Sequence, residues 1–341
     1  MKLISLCSLI TLSFFMIAEG QYSGNVTNVG TTAASFLEIG AGAKAIGMGG
    51  AFVATANDAS ALYWNPGGLG RLLRTEILFV HTEWIADINY DFAGAVIPLG
   101  RVGTIGASIA MLSMEDMEVR TVDKPEGTGE LFNANDLALM ISYGFNLTDR
   151  FSIGFNAKFI QQKIWKETAQ GVGVDIGTIF RTGLNDLRIG AVLYNFGSDM
   201  QMEGDNLLVF HDPDPYQDGN NDKIFATLKT ENWPLPLNFQ VGLAMEVIKT
   251  NPHRLTIEAD AMHPIDNKES AHLGLEYALR EQFSIRAGYR NLFLQDSEEG
   301  ITLGAGFLVR FLNNYQVSID YAYADFGRLQ NSQRFSISMR F

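Results

Sequence analysis

From residue 75 to the C-terminus the chain breaks into segments of about ten residues in which apolar and polar positions alternate. A period of two is that of a strand whose faces meet unlike surroundings. Between 151 and 160, Phe151, Ile153, Phe155, Ala157 and Phe159 alternate with Ser152, Gly154, Asn156 and Lys158. The pattern returns as Leu255, Ile257, Ala259 and Ala261 against Thr256, Glu258 and Asp260, and as Phe283, Ile285, Ala287 and Tyr289 against Ser284, Arg286 and Gly288. It closes with Phe335, Ile337, Met339 and Phe341 opposite Ser336, Ser338 and Arg340. The expected strands are 75–84, 88–97, 102–112, 135–146, 151–164, 171–181, 186–197, 235–248, 253–262, 269–279, 282–290, 299–312, 315–324 and 332–341, about fourteen in all.

An even number of strands alternating apolar-out and polar-in predicts an all-β fold, a transmembrane antiparallel up-and-down β-barrel. Connection lengths test this, because such barrels have tight turns on one rim and longer loops on the other. Residues 98–101, 147–150, 182–185, 249–252, 280–281 and 313–314 form one short set. The opposite set holds the long connections 113–134 and 198–234 and the medium ones 291–298 and 325–331, with 85–87 alone unusually short. Phe145 with Phe151, and Phe311 with Tyr315, fit an interfacial girdle near the short turns or ordinary core packing.

The first twenty residues read as an export signal: Lys2, an apolar run from Leu3 to Ile17, then Ala18-Glu19-Gly20. Cleavage there makes Gln21 the mature start and removes Cys7, the one cysteine, so disulfides and thiol catalysis are excluded. The net charge of −13 argues against a nucleic-acid partner, and losing Lys2 and Glu19 leaves it unchanged. After Gly20 no apolar run reaches the length of a membrane helix. The expected location is the bacterial outer membrane, with membrane lipid as surroundings and both termini periplasmic.

Residues 21–74 show no strand ladder and are expected to form a glycine-rich plug inside the barrel, ahead of the barrel proper at 75–341. Gly47, Gly49 and Gly50 permit close backbone approach. Asn57 or Asp58 is placed to cap a short helix ending at Leu62 or Tyr63, stopped by Asn65-Pro66-Gly67-Gly68. Such a plug either fills the lumen or gates it.

Other chemistry is weaker. Gly40-Ala41-Gly42-Ala43-Lys44-Ala45 matches a loose dinucleotide fingerprint, but no parallel-strand unit follows. Asp214, Asp218 and Asp222 are spaced as in a calcium loop, yet Phe225 stands where the last bidentate Glu belongs, which leaves a calcium-ordered loop or a solvated acidic turn. Glu258, Asp260, Glu276, Arg286, Arg310 and Asp320 read as a polar barrel lining. The five histidines show no metal spacing, and His253 and His272 have no serine partner in sequence. Neither an enzyme nor any cofactor beyond that calcium is expected.

One stretch resembles a known family. Gly42-x-x-Ala45-x-Gly47-Met48-Gly49-Gly50-Ala51-Phe52-Val53-Ala54, Asn57-Asp58-Ala59-Ser60-Ala61 and Tyr63-Trp64-Asn65-Pro66-Gly67-Gly68-Leu69 resemble the PorV/PorQ family of the FadL-like barrel superfamily. Relatives of the FadL kind carry alanine where this chain has Gly67. The resemblance implies either an accessory of type IX secretion or a FadL-like channel for hydrophobic small molecules. In the first case the barrel binds the C-terminal domains of exported cargo at the outer surface and hands them to a processing partner.

Overall fold

The computed structural model describes residues 28–214, 216, 223–295, 297–311 and 315–341. The export signal, Asp218, Asp222 and the 313–314 turn lie outside them. Fourteen strands form the wall: β1 Glu76–Glu83, β2 Asn89–Pro98, β3 Thr104–Ser113, β4 Ala134–Asn146, β5 Phe151–Ile164, β6 Glu167–Arg181, β7 Arg188–Gly197, β8 Asn238–Thr250, β9 His253–Pro264, β10 Ser270–Leu279, β11 Phe283–Leu292, β12 Ile301–Arg310, β13 Gln316–Asp325 and β14 Asn331–Arg340. Each pairs antiparallel with its sequence neighbour, and β14 returns to β1 with Glu76 opposite Arg340 and Glu83 opposite Gln333. Closure satisfies every strand edge, which a sheet in hydrocarbon requires.

The alternation has its predicted meaning. Phe155, Phe159, Ile257, Ile285 and Ile337 point outward and are exposed, whereas Ser152, Asn156, Lys158, Glu258 and Asp260 are buried in the lumen. The lipid therefore meets the apolar set and the interior holds the polar one. Near the short turns Tyr143 stacks on Phe145, Phe283 packs on Phe307, and Tyr315 meets Phe341 edge-on, a ring of outward aromatics at one end of the barrel.

Each predicted strand has its counterpart, with ends shifted by at most four residues. The largest shift is at β6, which starts at Glu167 and leaves only Trp165-Lys166 as its turn from β5. The long-loop rim therefore carries a second tight connection besides 85–87. The sequence hides it because Glu167, Thr168 and Gln170 lack an apolar alternation, yet they pair with β5 through Ile164–Glu167 and Lys163–Thr168.

The two described chain ends sit on opposite rims. Phe341 donates its amide to Thr75 beside the short turns. Asn28 contacts the Ile265 carbonyl, and the Ala33 amide bonds Pro234, both on the long-loop rim. Residues 28–75 then descend the lumen to Arg71, which bonds the Arg150 carbonyl in the β4–β5 turn at 2.8 Å. Residue 28, the first described, thus lies at the rim opposite Phe341, while the N-terminus of the expected mature chain, Gln21, lies outside the described residues. A closed wall of this kind predicts that the unboiled protein migrates anomalously on a detergent gel and shifts on boiling. Quantitative recovery in soluble form without detergent contradicts a membrane barrel.

Candidate functional site: the plug and its seam with the wall

The plug is built from short turns. Helix α1, Ala43–Gly47, is followed by Gly49 and Gly50 at φ 69° and 75°, a left-handed pair that reverses the chain at low steric cost. Helix α2, Ala61–Trp64, has Ser60 at its N-cap with no side-chain cap, and the Asp58 carboxylate accepts from the Ser60 amide at 3.0 Å in the turn before it. Asn57 does not cap it and instead accepts from Lys44 Nζ at 2.7 Å. The Asn65-Pro66-Gly67-Gly68 stretch is itself a 3-10 turn, Pro66–Arg71, with Pro first and the Asn65 side chain accepting from the Gly67 amide at 2.9 Å. Trp64 ties the layers together: its indole donates to the Ala41 carbonyl at 2.6 Å, and its ring meets Phe52 and Tyr63 edge-on.

The plug meets the wall backbone to backbone, through glycines on both sides. A methyl group on Gly49 would sit 2.7 Å from the Leu273 carbonyl and the Tyr289 amide, and one on Gly288 of β11 would overlap Gly49. One on Gly47 would sit 3.0 Å from the Gly304 Cα. The Pro66 carbonyl fills the space beside Gly144 and Gly154, and Gly50 lies against His272. Gly67 explains the departure from alanine: a methyl there would stand 2.8 Å from the Gly177 carbonyl and Thr178 Cα of β6. Leu62 fills the hollows left by Gly94 and Gly106.

Wall side chains then satisfy plug amides and carbonyls that water does not reach. Asp260 Oδ2 accepts from the amides of Phe52 and Val53 at 3.0 and 3.2 Å, and Glu258 accepts from the Ala54 amide at 2.6 Å and from the Thr55 hydroxyl. Ser336 accepts from Ala43, Asn156 donates to the Leu62 carbonyl, Tyr194 to that of Trp64, and Arg334 to that of Ile39. Asn65 Nδ2 bridges Val53 and Thr178 carbonyls at 2.7 and 3.1 Å. Each such bond contributes about 0.5–1.5 kcal/mol net, and a buried donor or acceptor left unpaired costs about 1–3 kcal/mol, so together these contacts hold the plug in one register. Sequence reading placed Glu258 and Asp260 on the lumen side without partners. The missed signal was glycine recurring on the polar face of several strands, as at Gly154 and Gly288.

Electrostatics differ above and below the seam. Burial alone would raise the Asp58 carboxyl, but the Lys44 ammonium 3.0 Å away, with Arg340, holds it below the usual carboxylate range. On the short-turn side, Lys44, Asp58, Glu276, Arg286, Asp320 and Arg340 line a cavity of about 160 Å³. There Arg286 bonds Glu276 at 2.7 Å and Asp320 at 2.6 Å; Arg310, at the end of β12, is exposed. A cavity of about 50 Å³ on the other side is lined by Glu38, Tyr63, Lys158, Asn238, His272 and Arg290 among others and shares no lining residue with the first. Glu38 lines this cavity with part of its surface still open to solvent; partial desolvation, reinforced by Asp266 and Glu299 and opposed by Arg290, pushes its pKa up to about 8.

Among the described residues no three His, Cys, Asp or Glu side chains converge on a metal position. Asp214 accepts from the Tyr216 amide at 3.3 Å, and its own amide donates to Asp212 Oδ1 at 3.0 Å, two successive side-chain turns. The other two members of the calcium spacing are outside the described residues.

A closed fourteen-strand antiparallel barrel with its N-terminal segment stitched into the lumen is a fold that solved hydrocarbon channels share. The structure is similar to the monoaromatic hydrocarbon channel CymD, with a TM-score of 0.54, 14% identity and 89% and 97% of the two chains covered. It is likewise similar to the Ralstonia pickettii toluene transporter TbuX (TM-score 0.53, 12% identity, 88% and 97% covered) and to the Pseudomonas putida toluene transporter TodX (0.54, 13%, 88% and 97%). Residues 22–185 match the family described as type IX secretion system protein PorV, so the resemblance carried by the plug motif extends through β6. A comparison with curated sequences finds no match.

Two predictions follow from the seam. Gly288→Val forces a side chain into the Gly49 backbone and should destabilise the folded barrel by about 1–3 kcal/mol, with residues 28–75 becoming protease-sensitive. Gly183→Ala, in the open β6–β7 turn, is the neutral control; equal protease resistance in both variants contradicts the packing account. The second concerns Glu38, whose proton is held more tightly in the folded state. The stabilisation of the protonated form is present below about pH 4.5 and is lost as pH rises to about 8. Proteolysis of the 28–39 strap should therefore quicken across that window, and Glu38→Gln should abolish the change. An unaltered pH profile in the variant would exclude Glu38 as its source.

Proposed function

We propose that the protein is an outer-membrane component of type IX secretion that binds exported protein at its long-loop rim. In this reading the long loops face outward, the short turns and Phe341 face the periplasm, and the protein works by binding, without catalysis or a cofactor. The observation that carries it is the packed seam: plug and wall meet backbone to backbone at Gly49–Gly288 and Gly47–Gly304, and the cavities on its two sides share no lining residue. The rim is left as the working surface. The PorV match over residues 22–185 supports the same reading. The partners are the C-terminal domains of exported cargo and a processing protein that receives them.

A second reading, a channel for hydrophobic small molecules, has one specific observation in its favour. An apolar hollow of about 330 Å³ lies on the outer wall among Phe79, Ala93, Ile109, Met111, Phe335 and Ile337. Against it, the ladders joining β1 to β4 run without a register break, so the wall behind the hollow is continuous. Deleting the gene and comparing surface and periplasmic proteins separates the two. Cargo with type IX C-terminal domains should accumulate in the periplasm. Normal display of that cargo together with lost uptake of a monoaromatic hydrocarbon would overturn the secretion reading and support the channel.

A further inference from the structure

The long connection between β7 and β8 carries its own two-stranded ribbon, Leu208–His211 paired with Ile224–Thr227, in which Phe210 stands directly opposite Phe225. Their rings lie 5.0 Å apart, and the residues are 65% and 71% exposed. Leu208 shares their face and is exposed as well, while Val209 and Ala226 on the other face are half-buried. A tilted aromatic pair left mostly open to solvent buries little of its area in the fold and is the kind of anchor that interfaces desolvate. Among the described residues no third strand pairs with the ribbon, so its outer edges offer backbone groups as a template for one.

Charge narrows the occupant. The connections 114–133 and 198–237 together hold fourteen Asp and Glu against four Lys and Arg. An acidic rim repels an anionic lipid surface and attracts a basic one. Resting on the secretion reading above, we infer that the ribbon of Leu208–His211 and Ile224–Thr227 is the docking element for cargo, taking an extended, basic and apolar strand of the exported domain along its edge and over Phe210 and Phe225. The aromatic pair supplies the desolvated anchor, the backbone edge fixes register, and the acidic loops speed encounter and select for basic partners.

The test uses the full-length barrel in detergent and, as probe, the isolated C-terminal domain of a protein exported by the same organism's type IX system. Wild-type affinity should weaken with added salt, and Phe210→Ser with Phe225→Ser should reduce it at least about tenfold while heat-modifiable migration is retained. Independently of any variant, binding should slow amide exchange at 208–211 and 224–227 in the wild type. Equal affinity of variant and wild type, or no protection of the ribbon in a complex that forms, overturns the docking element and leaves the secretion reading standing. A wild-type barrel that binds no such domain removes that reading and the ribbon's role with it. Protection of the ribbon by phosphatidylglycerol vesicles without the domain assigns the aromatic pair to lipid and likewise overturns the inference.

Discussion

Where Gly49 of the plug crosses Gly288 of β11, two backbones touch with no side chain between them, and most of the interior is arranged around contacts of this type. A fourteen-strand wall encloses more volume than its own inward side chains fill. Placing glycine on both surfaces lets a chain of helical turns lie against the strands at backbone distance, and the polar groups this brings together must then be satisfied. Asp260, Glu258, Asn156 and Tyr194 do so from the wall, each reaching an amide or carbonyl of the plug. Packing and hydrogen bonding therefore specify the same register, which is what a single well-ordered state requires.

The same contacts divide the lumen. Trp64, Phe52 and Leu62 form an apolar layer, with a charged cavity of about 160 Å³ on the short-turn side and a smaller one of about 50 Å³ opposite. The segment that makes this layer enters from the long-loop rim at Asn28 and leaves by the short-turn rim at Arg71. It is thus held along the whole height of the barrel. Structures only 12–14% identical share the architecture, so the wall by itself does not specify a function.

The wall was legible in the sequence because lipid and lumen impose opposite demands on successive residues. Phe151 to Phe159 shows this alternation as clearly as any stretch, and the strand ends drawn from it shift by few residues. The Trp165-Lys166 turn was not legible, since Glu167, Thr168 and Gln170 rise beyond the apolar band and lose the pattern while keeping the pairing. Inside the lumen, periodicity says only that a position faces inward. It could not tell that Glu258 and Asp260 accept plug amides, nor that Asn57 serves Lys44 and Asp58 holds the turn before a helix that no side chain caps. The crossing of the N-terminal segment from one rim to the other was hidden for a related reason: no local pattern records which end of a barrel a plug enters. The ribbon of Leu208–His211 and Ile224–Thr227 escaped because its aromatics sit in a connection read by length and charge alone.

If plug and wall are one packed body, the barrel is closed to ions as it stands. Conductance across a planar bilayer measures this directly. The reconstituted wild-type protein should show no sustained conductance, whereas a variant lacking residues 35–72 but still heat-modifiable on a gel should conduct steadily. A steady wild-type conductance equal to that of the plugless variant would contradict the sealed seam on which the account rests.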